Sequence, residues 1–574
     1  MPVNLEEKSL ELKKIVSQYD TKIFLGDLST LMKMITSKTP YNSLEGLSSP
    51  QRQLFYLAGL HLNSEHPDGL ELKYQYTEEE WEVIKSLLIE IEKGYGEMFF
   101  PNDSEEIDEL WIKQRKVAMP AFLNYFNQGA LNFEEQVIER IQNYFEKFNT
   151  EIKSHFNLTV SDFIDIYNFI DELLHQKLND FIVKKDDEPT WEEFCDSMQK
   201  KGIMNPQDWN DHLPDNFKNL FENVFDSGKK QRFTLEELSD SFGEVKAKAF
   251  VNALVCERSD SQFKYYTEEN KIYSTPVFIV DDNEYQSIDI KQIIHAIYNL
   301  LFSFVKSIHG GADRFYKIRG QKLEDKIVSV FKKTLGKSAI IYEGFYTDDG
   351  NEQDILILYK GLALIIEAKA SKRDEPRRDP DKAYPLIVSN FNETIQKGYD
   401  QGYRVKKRFL SNEVLNIYSD IKLNNKIASI NTKKYHNAFT LIVTLESFGQ
   451  MQTDLSELLT IEDNDEYPLS ICIDDLEVFL LALKKRGFKI RDLIHYLDMR
   501  EYFHGGLICA DELEMSGGIL LGKIDMKIAE SDQDVITTPD LAIIFDELYE
   551  KGLGFENEKN LDRKTSDKFM KFGF

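Results

Sequence analysis

Three charged residues interrupt two apolar runs in the stretch EQDILILYKGLALIIEAKA, residues 352–370. Asp354 opens the first run, Glu367 and Lys369 close the second, and a Tyr-Lys-Gly turn separates the two runs. Short apolar runs about a glycine turn predict a β-hairpin, which places Asp354 and Glu367 near paired positions on adjacent strands. Lys369 lies two residues beyond Glu367 and therefore on the same face of its strand.

These side chains suit the hydrolysis of a phosphodiester. A divalent cation neutralises charge on the attacked phosphate and lowers the pKa of the attacking water. Because Mg²⁺ prefers oxygen ligands, we expect Asp354 and Glu367 to bind Mg²⁺ or Mn²⁺ and Lys369 to hold the water. Glu324, on the preceding helix, could add a third carboxylate. The alternative is structural: a turn residue at Asp354 and an exposed ion pair between Glu367 and Lys369. Uniformly apolar flanks favour the metal site, because buried charges are costly without a counter-ion.

The sequence around the hairpin predicts a mixed α/β domain. Apolar residues at helical spacing precede the hairpin, and runs of β-formers follow it. The predicted elements are a helix over 316–336, strands over 338–346, 354–359 and 362–370, a helix over 392–410, and strands over 438–449 and 467–475.

A helix with Glu324, a strand, and a hairpin that begins with Asp354 and ends in Glu367-Ala368-Lys369 resembles the core of the PD-(D/E)xK nuclease superfamily. Within it, the closest resemblance is to the Mrr-type and NERD-type nuclease-related domains of bacterial proteins, and it covers roughly residues 313–450. It implies a restriction-endonuclease-like domain that cleaves DNA with Mg²⁺ or Mn²⁺. RNA is the alternative substrate, since the same site could cleave it.

The resemblance also implies a glutamine near the site, on the helix that follows the hairpin. Gln396 and Gln401 both lie on that helix, and we expect Gln396 to help orient the site. The identity of the first carboxylate also stays open, because the preceding loop holds three rivals. These are Asp348, Asp349 and Glu352.

A basic loop follows the hairpin, with the sequence SKRDEPRRDP. Between residues 313 and 410, 20 Lys and Arg residues face 15 Asp and Glu residues, although the formal net charge of the chain is -29. A local excess of positive charge fits a nucleic-acid contact, and a solvated surface of mixed charge is the alternative. The candidate phosphate-binding residues of the loop are Lys372, Arg373, Arg377 and Arg378.

Four regions are predicted along the chain. Residues 1–230 are mostly α-helical, with capping boxes such as Thr77 with Glu80. A winged-helix-like connector covers 231–310, with packing or dimerisation as its expected role and DNA reading as the alternative. The nuclease-like domain and its helical C-terminal elements cover 311–530, and an extension covers 531–574. Four acids near the C-terminus are expected to be helix caps and surface charge rather than a second metal site. They are Asp474, Asp475, Asp511 and Glu512.

Composition excludes several classes of protein. No apolar run reaches 18 residues, and the acidic N-terminus does not resemble a secretory signal, so we expect a cytoplasmic protein without a membrane span. The four cysteines are scattered, which predicts reduced thiols. The chain lacks a P-loop motif, which argues against an intrinsic ATP motor.

The sequence therefore predicts a metal-dependent DNA nuclease gated by a large helical region. Participation in prokaryotic defence against phage is an analogy from the family. We also expect a homo-oligomer and a partner protein that docks on the N-terminal region. The rival hypothesis is a catalytically silent binding or assembly subunit with a nuclease fold, whose carboxylates only stabilise the end of the sheet.

Overall fold

The computed structural model describes residues 3–35, 42–67, 71–102, 106–127, 132–182, 190–203, 209, 212–214, 217, 226–371, 374–529 and 534–559. These residues form two compact units. The first unit draws on Met1–Glu97 and Val137–Ile308, and the second on Met98–Gln136 and His309–Lys564. The helical segment from Met98 to Gln136 thus groups with the C-terminal half, a division that the sequence does not mark.

The first unit is mostly helical, as the apolar stripes predict. The predicted capping box at Thr77 is confirmed, since its hydroxyl accepts from the Glu80 backbone N–H and Glu80 accepts from the Thr77 backbone N–H. The helices of this part of the chain are Leu5–Val16, Thr21–Ile35, Pro50–Leu62, Glu78–Glu97, Glu134–Phe145, Asn149–Phe156, Val160–Ile182, Trp191–Lys200, Leu235–Phe242, Glu244–Leu254 and Ile290–Ser307.

The first unit contains the predicted succession of two short helices and a β-hairpin, and the hairpin belongs to a small sheet of four strands. Its strands, in spatial order, are Arg232–Thr234, Glu284–Gln286, Val277–Asp281 and Val255–Cys256. The two lysines that could read a DNA groove are both paired: Lys246 binds Asp162 at 2.6 Å and Lys248 binds Glu244 at 2.5 Å. Packing or dimerisation, the expected role of this region, stays a prediction, and DNA reading stays the alternative.

The second unit contains a mixed seven-stranded sheet. Its strands are β1 (Ile340–Thr347), β2 (Glu352–Tyr359), β3 (Leu362–Lys369), β4 (Val414–Tyr418), β5 (Lys426–Asn431), β6 (Asn437–Thr444) and β7 (Leu469–Cys472), in the spatial order β7-β6-β3-β2-β1-β4-β5. Strands β2 and β3 form the predicted antiparallel hairpin, whose turn residues Lys360 and Gly361 have φ of 47° and 83°. Strand β6 pairs in parallel with β3 and with β7.

Helices cover both faces of the hairpin, which explains its apolar sequence. Helix α1 (Gly311–Leu335) packs against β2 and β3, and helix α3 (Lys397–Leu410) packs against β3 and β6. A third helix, α2 (Pro380–Phe391), leads into a single π-helical turn at Asn392–Gln396 that precedes α3. Leu356 packs in one cluster with Val405 of α3. Its chain neighbour Ile355 is equally buried and, by strand alternation, faces the opposite side.

The remaining elements of the second unit surround this core. They are the helices Glu109–Asn127, Gln450–Thr453, Ile473–Lys485, Ile490–Tyr502, Glu512–Leu520, Met526–Ala529 and Ile543–Glu550, and a parallel pair of short strands, Leu507–Ile508 and Val535–Ile536. All four cysteines carry free thiols, as predicted. Among the described residues, no helix is long and apolar enough to cross a membrane.

The prediction that four acids near the C-terminus are helix caps and surface charge is wrong in part. Asp511 does cap a helix, since it accepts from the Leu513 backbone N–H at 2.7 Å. Asp475 and Glu512 are buried, however, at 8% and 3% exposure, so they are not surface charge. Arg500 lies 2.8 Å from Glu512 and neutralises it inside the protein. Their burial depends on long-range packing, which a charge pattern does not reveal.

Candidate active site

The hairpin ladder ends at the predicted charges. Ile355 and Ile366 form the last regular pair of β2 and β3. Beyond that pair, the Asp354 carboxylate accepts the Ala368 backbone N–H at 2.8 Å. A side chain thus replaces a backbone carbonyl as the acceptor, and it ties Asp354 to the β3 segment that holds Glu367.

Glu367 is the most deeply buried group of the site. Its side chain is fully buried, and both oxygens accept hydrogen bonds, one from Lys369 Nζ at 2.6 Å and one from Gln353 Nε2 at 2.5 Å. Burial and then the negative charge of Asp354 raise the pKa of Glu367 to about 8, against the opposing effect of Lys369. Glu367 is therefore a carboxylate whose charge depends on the donors around it.

Lys369 lies at the centre of the cluster. Its ammonium donates to Glu367 Oε2 at 2.6 Å and to Gln401 Oε1 at 2.7 Å, and it lies 3.8 Å from Asp354 Oδ2. These oxygens come from two strands and one helix, so they hold the flexible lysine stem in one position. The prediction that Asp354, Glu367 and Lys369 converge is confirmed, whereas their chemical roles stay predictions.

Glu324 faces the same cluster from α1. Burial and then the charges of Asp354 and Glu352 raise the pKa of Glu324 to about 7, and Lys369 opposes the rise. One turn earlier, buried Arg319 donates to Glu446 Oε1 at 2.6 Å, just beyond the end of β6. This ion pair anchors α1 at the end of the sheet where the carboxylates lie.

The glutamine at the site is Gln401 rather than Gln396. Gln396 donates to Asp400 Oδ1 and to the Thr460 carbonyl, both at 2.9 Å, and it is not bonded to the cluster. The two glutamines are five residues apart, and Gln396 ends the π-helical turn before α3. Five residues span about 140° around an α-helix, so only one of the two glutamines can face the sheet, and the packing of α3 decides which.

Two glycines let α3 approach the sheet closely. A Cβ at Gly402 would lie 2.6 Å from Thr440 Cγ2, and one at Gly398 would lie 3.0 Å from Ile442 Cγ2 and 3.2 Å from Lys369 Cε. Residues four apart share one helix face. The pair therefore sets the depth at which Gln401 reaches Lys369, a role that the sequence analysis missed although the G-x-x-x-G spacing is visible.

The structure also separates Asp354 from two of its three rivals, Asp348 and Asp349. Asp348 accepts from Tyr418 Oη at 3.0 Å and from Asn416 Nδ2 at 3.2 Å, and so it braces β4. Asp349 accepts from the Asn351 backbone N–H at 3.2 Å within the turn. Of these acids, Asp354 is the one hydrogen-bonded to β3 beside Lys369.

Gln353 is a site residue that sequence reasoning missed. It is 1% exposed, and its Nε2 donates to Glu367 Oε1 and, at 3.3 Å, to the Ile366 carbonyl. Both partners are acceptors, which fixes the amide with its nitrogen toward them. Its carbonyl oxygen is buried and has no hydrogen-bond partner among the described residues. No pattern in the sequence pointed to this role, because Gln353 lies between the charged residues Glu352 and Asp354.

The basic loop is only partly described. Lys372 and Arg373 lie outside the described residues. Arg377 and Arg378 are exposed, and Arg378 Nη2 lies 3.3 Å from Glu375 Oε1, three residues before it. The loop thus presents exposed guanidinium groups shortly after β3, in keeping with a phosphate-contact role that stays a prediction.

The donors at the site fit a hard cation. Mg²⁺ commonly binds through one or two carboxylates together with waters. Asp354 and Glu367 supply the carboxylates, and the unpartnered Gln353 Oε1 is a further buried oxygen beside them. Within the described ranges, no group of three or more His, Cys, Asp and Glu side chains is close enough to hold a metal. Asp354 and Glu367, the two carboxylates within 4 Å of Lys369 Nζ, are therefore the first candidates to bind a cation, and binding by Glu324 stays a prediction.

Comparisons with protein-family models, curated proteins and solved structures gave no match for this chain. The functional interpretation therefore depends on the chemistry of the site itself.

Proposed function

We propose that the second unit is a metal-dependent deoxyribonuclease of the PD-(D/E)xK type, with Mg²⁺ or Mn²⁺ as its cofactor. One observation carries the proposal: Lys369 lies among the oxygens of Glu367, Gln401 and Asp354 where an apolar hairpin ends. Burying these charges is unfavourable for stability, and perturbed ionisable groups cluster at functional sites.

In the proposed reaction, a water loses a proton as it attacks the phosphorus of a phosphodiester, the bond to one sugar oxygen breaks, and that oxygen takes up a proton, which gives a phosphate monoester and an alcohol. The cation, when bound, would lower the pKa of the water and neutralise charge on the phosphate. Asp354 and Glu367 would hold it, and Gln353 would keep Glu367 in place. Lys369 would donate to the attacking water or to a phosphate oxygen, with its position set by Gln401.

Cleavage assays test this proposal. Purified protein is incubated with supercoiled plasmid, linear duplex, single-stranded DNA and RNA, each with Mg²⁺ or Mn²⁺. We expect the wild type to cleave DNA, and Glu367→Ala and Lys369→Ala to lose cleavage while circular dichroism shows a folded protein. Glu343→Ala is a suitable control, since Glu343 is exposed and binds Lys332 at 3.2 Å. Cleavage that survives both site variants would contradict the proposal, and cleavage of RNA alone would reassign the substrate.

A catalytically silent assembly subunit is the second candidate. It is favoured by the ion pair between Lys369 and Glu367, which satisfies Glu367 without a cation. The two functions differ in their response to Mn²⁺, because a ligand that binds only the folded state raises the melting temperature Tm. A silent subunit would show no shift in Tm and no cleavage.

The wider context is also part of the proposal. Gating by the helical first unit, docking of a partner protein there, homo-oligomerisation and a role in antiphage defence follow from the family resemblance and the size of the region. Comparing the cleavage rate of the full chain with and without a lysate of phage-infected cells would test for gating. An unchanged rate would argue against a phage-derived trigger.

A further inference from the structure

Along one face of helix α1, the residues become more exposed from the candidate site toward the N-terminus of the helix. Along this stripe of residues four apart, Val328 is 4% exposed, Glu324 and Gly320 are half-buried, and Tyr316 is 44% exposed. Residues at this spacing share a helix face. Since Glu324 lies near the carboxylates, the residues before it on the stripe form a surface that leads from the site toward solvent, here called the wall.

Gly320 is the unusual member of this wall. A Cβ at this position would meet no described atom within 4 Å, in contrast to the tight contacts at Gly398 and Gly402. Its backbone is ordinary helix, where glycine is less favourable than alanine. Neither packing nor backbone conformation therefore requires a glycine here. A ligand that approaches the backbone closely is a physical reason to keep this space open.

The residues next to Gly320 indicate what that ligand is. Tyr316 presents an exposed ring one turn before Gly320, and Lys317 is exposed three residues before it. An exposed aromatic ring stacks on an unpaired base, and a lysine contacts phosphate. A base inside a duplex is already stacked, so this combination favours an unpaired strand.

We infer that the wall formed by Tyr316, Lys317 and Gly320 binds single-stranded polynucleotide and leads it to the carboxylates. The inference rests on the proposed nuclease function and adds a substrate class and a binding path to it. In this arrangement the strand passes over the open face of Gly320, with a base against Tyr316 and a phosphate against Lys317.

The proposed binding path is tested by measuring polynucleotide binding under conditions that prevent metal-dependent cleavage. Fluorescence anisotropy in EDTA measures Kd for a labelled single-stranded DNA of about 20 nucleotides, the matching RNA, and a duplex of the same length. Gly320→Leu fills the open space, and Ser329→Leu is the matched control. Ser329 is exposed and lies nine residues along α1, about two and a half turns away and so on the opposite face.

We expect Gly320→Leu to weaken single-strand binding at least tenfold and Ser329→Leu to change Kd less than about twofold. Tyr316→Ala should weaken binding by about fivefold or more. Lys317→Gln should reduce the slope of log Kd against log salt concentration by about 1. Gly320→Ala should leave Tm unchanged or raise it, and this variant serves if Gly320→Leu does not fold.

The possible failures are distinguishable. If folded Gly320→Leu, Tyr316→Ala and Lys317→Gln all bind like the wild type while the wild type cleaves DNA, the path is wrong and the nuclease proposal stands. A wild type that binds and cleaves only duplex overturns the single-strand assignment. A wild type that neither binds nor cleaves any polynucleotide overturns both proposals. Preferential binding of RNA would support the proposed path and would assign RNA rather than DNA as the bound polynucleotide.

Discussion

Lys369 Nζ donates to Gln401 Oε1 at 2.7 Å, and this bond joins strand β3 to helix α3 at the centre of the candidate site. The same ammonium binds Glu367, so Gln401 shares a donor with the most buried carboxylate. Gln401 therefore helps to fix the position of Lys369.

Replacing Gln401 by leucine is expected to lower the DNA cleavage rate by about 10- to 100-fold, the range typical of residues that orient a metal-site group. The matched control is Gln396→Leu, because Gln396 lies five residues earlier and bonds to Asp400 and Thr460 instead. Rates are measured on plasmid DNA with Mg²⁺. Equal losses in the two variants would argue against a specific role for Gln401.

The Gln353→Met substitution keeps the volume of a fully buried side chain and removes its hydrogen bonds. We expect the Mn²⁺-induced rise in Tm to fall by at least half, because Glu367 loses a donor and the site loses an oxygen. Thermal unfolding with and without Mn²⁺ measures this shift independently of cleavage. Gln18→Met, at a half-buried position of the first unit where the side chain donates to the Lys14 carbonyl, is the control. A full Mn²⁺ response in Gln353→Met would show that Gln353 only fills space.

Metal binding is expected to strengthen as pH rises. Burial raises the pKa of Glu367 to about 8 and that of Glu324 to about 7, so at lower pH a cation must displace protons. The folded state binds more protons than the unfolded state here. The metal-free protein should therefore lose stability as pH rises from about 5 to about 8, and Mn²⁺ should restore it.

This pH dependence is measured as the Mn²⁺-induced shift in Tm between about pH 6 and pH 8.5. The shift should be small at the acidic end and grow through the pKa values of both carboxyls. In Glu367→Gln the growth with pH should be much reduced, since the more strongly perturbed carboxyl is gone. A shift of equal size across the range would contradict the assignment of these carboxyls to the metal site.

Close packing of α3 should be sensitive to single methyl groups. Gly402→Ala places a Cβ 2.6 Å from Thr440 Cγ2, so we expect it to lower the free energy of unfolding by about 1–3 kcal/mol. Gly320→Ala meets no described atom and should be neutral or stabilising. Urea unfolding of the two variants measures this difference in sign. A stabilised Gly402→Ala would mean that the contact between α3 and β6 yields easily.

A buried ion pair between Lys406 and Asp465 joins helix α3 to the segment that precedes β7. Lys406 and Asp465 are 4% and 1% exposed, their charged atoms are 2.6 Å apart, and Tyr399 Oη also donates to Asp465 at 2.9 Å. Lys406→Met leaves a buried carboxylate unpaired and should cost about 3–5 kcal/mol. The double variant Lys406→Met with Asp465→Leu should recover part of this loss in the same urea experiment. No recovery would indicate that Tyr399 and its neighbours depend on Asp465 itself.

The sequence by itself determined the hairpin and the three charges at its end. Apolar runs about a glycine turn are a local pattern, and strand alternation then places Glu367 and Lys369 on one face. The capping box of Thr77 was predictable for the same reason, because it depends on residues three apart.

Only the tertiary structure decided how distant segments meet the hairpin. The packing of α3 against β3 and β6 decides which face of the helix meets the site, and so Gln401 reaches Lys369 while Gln396 does not. The role of Gln353 required the β2–β3 ladder to end where it does, since only there does its amide meet Glu367. The grouping of Met98–Gln136 with the C-terminal half is also a matter of packing. Local patterns specify elements and their faces, whereas the contacts between elements depend on how whole surfaces fit together.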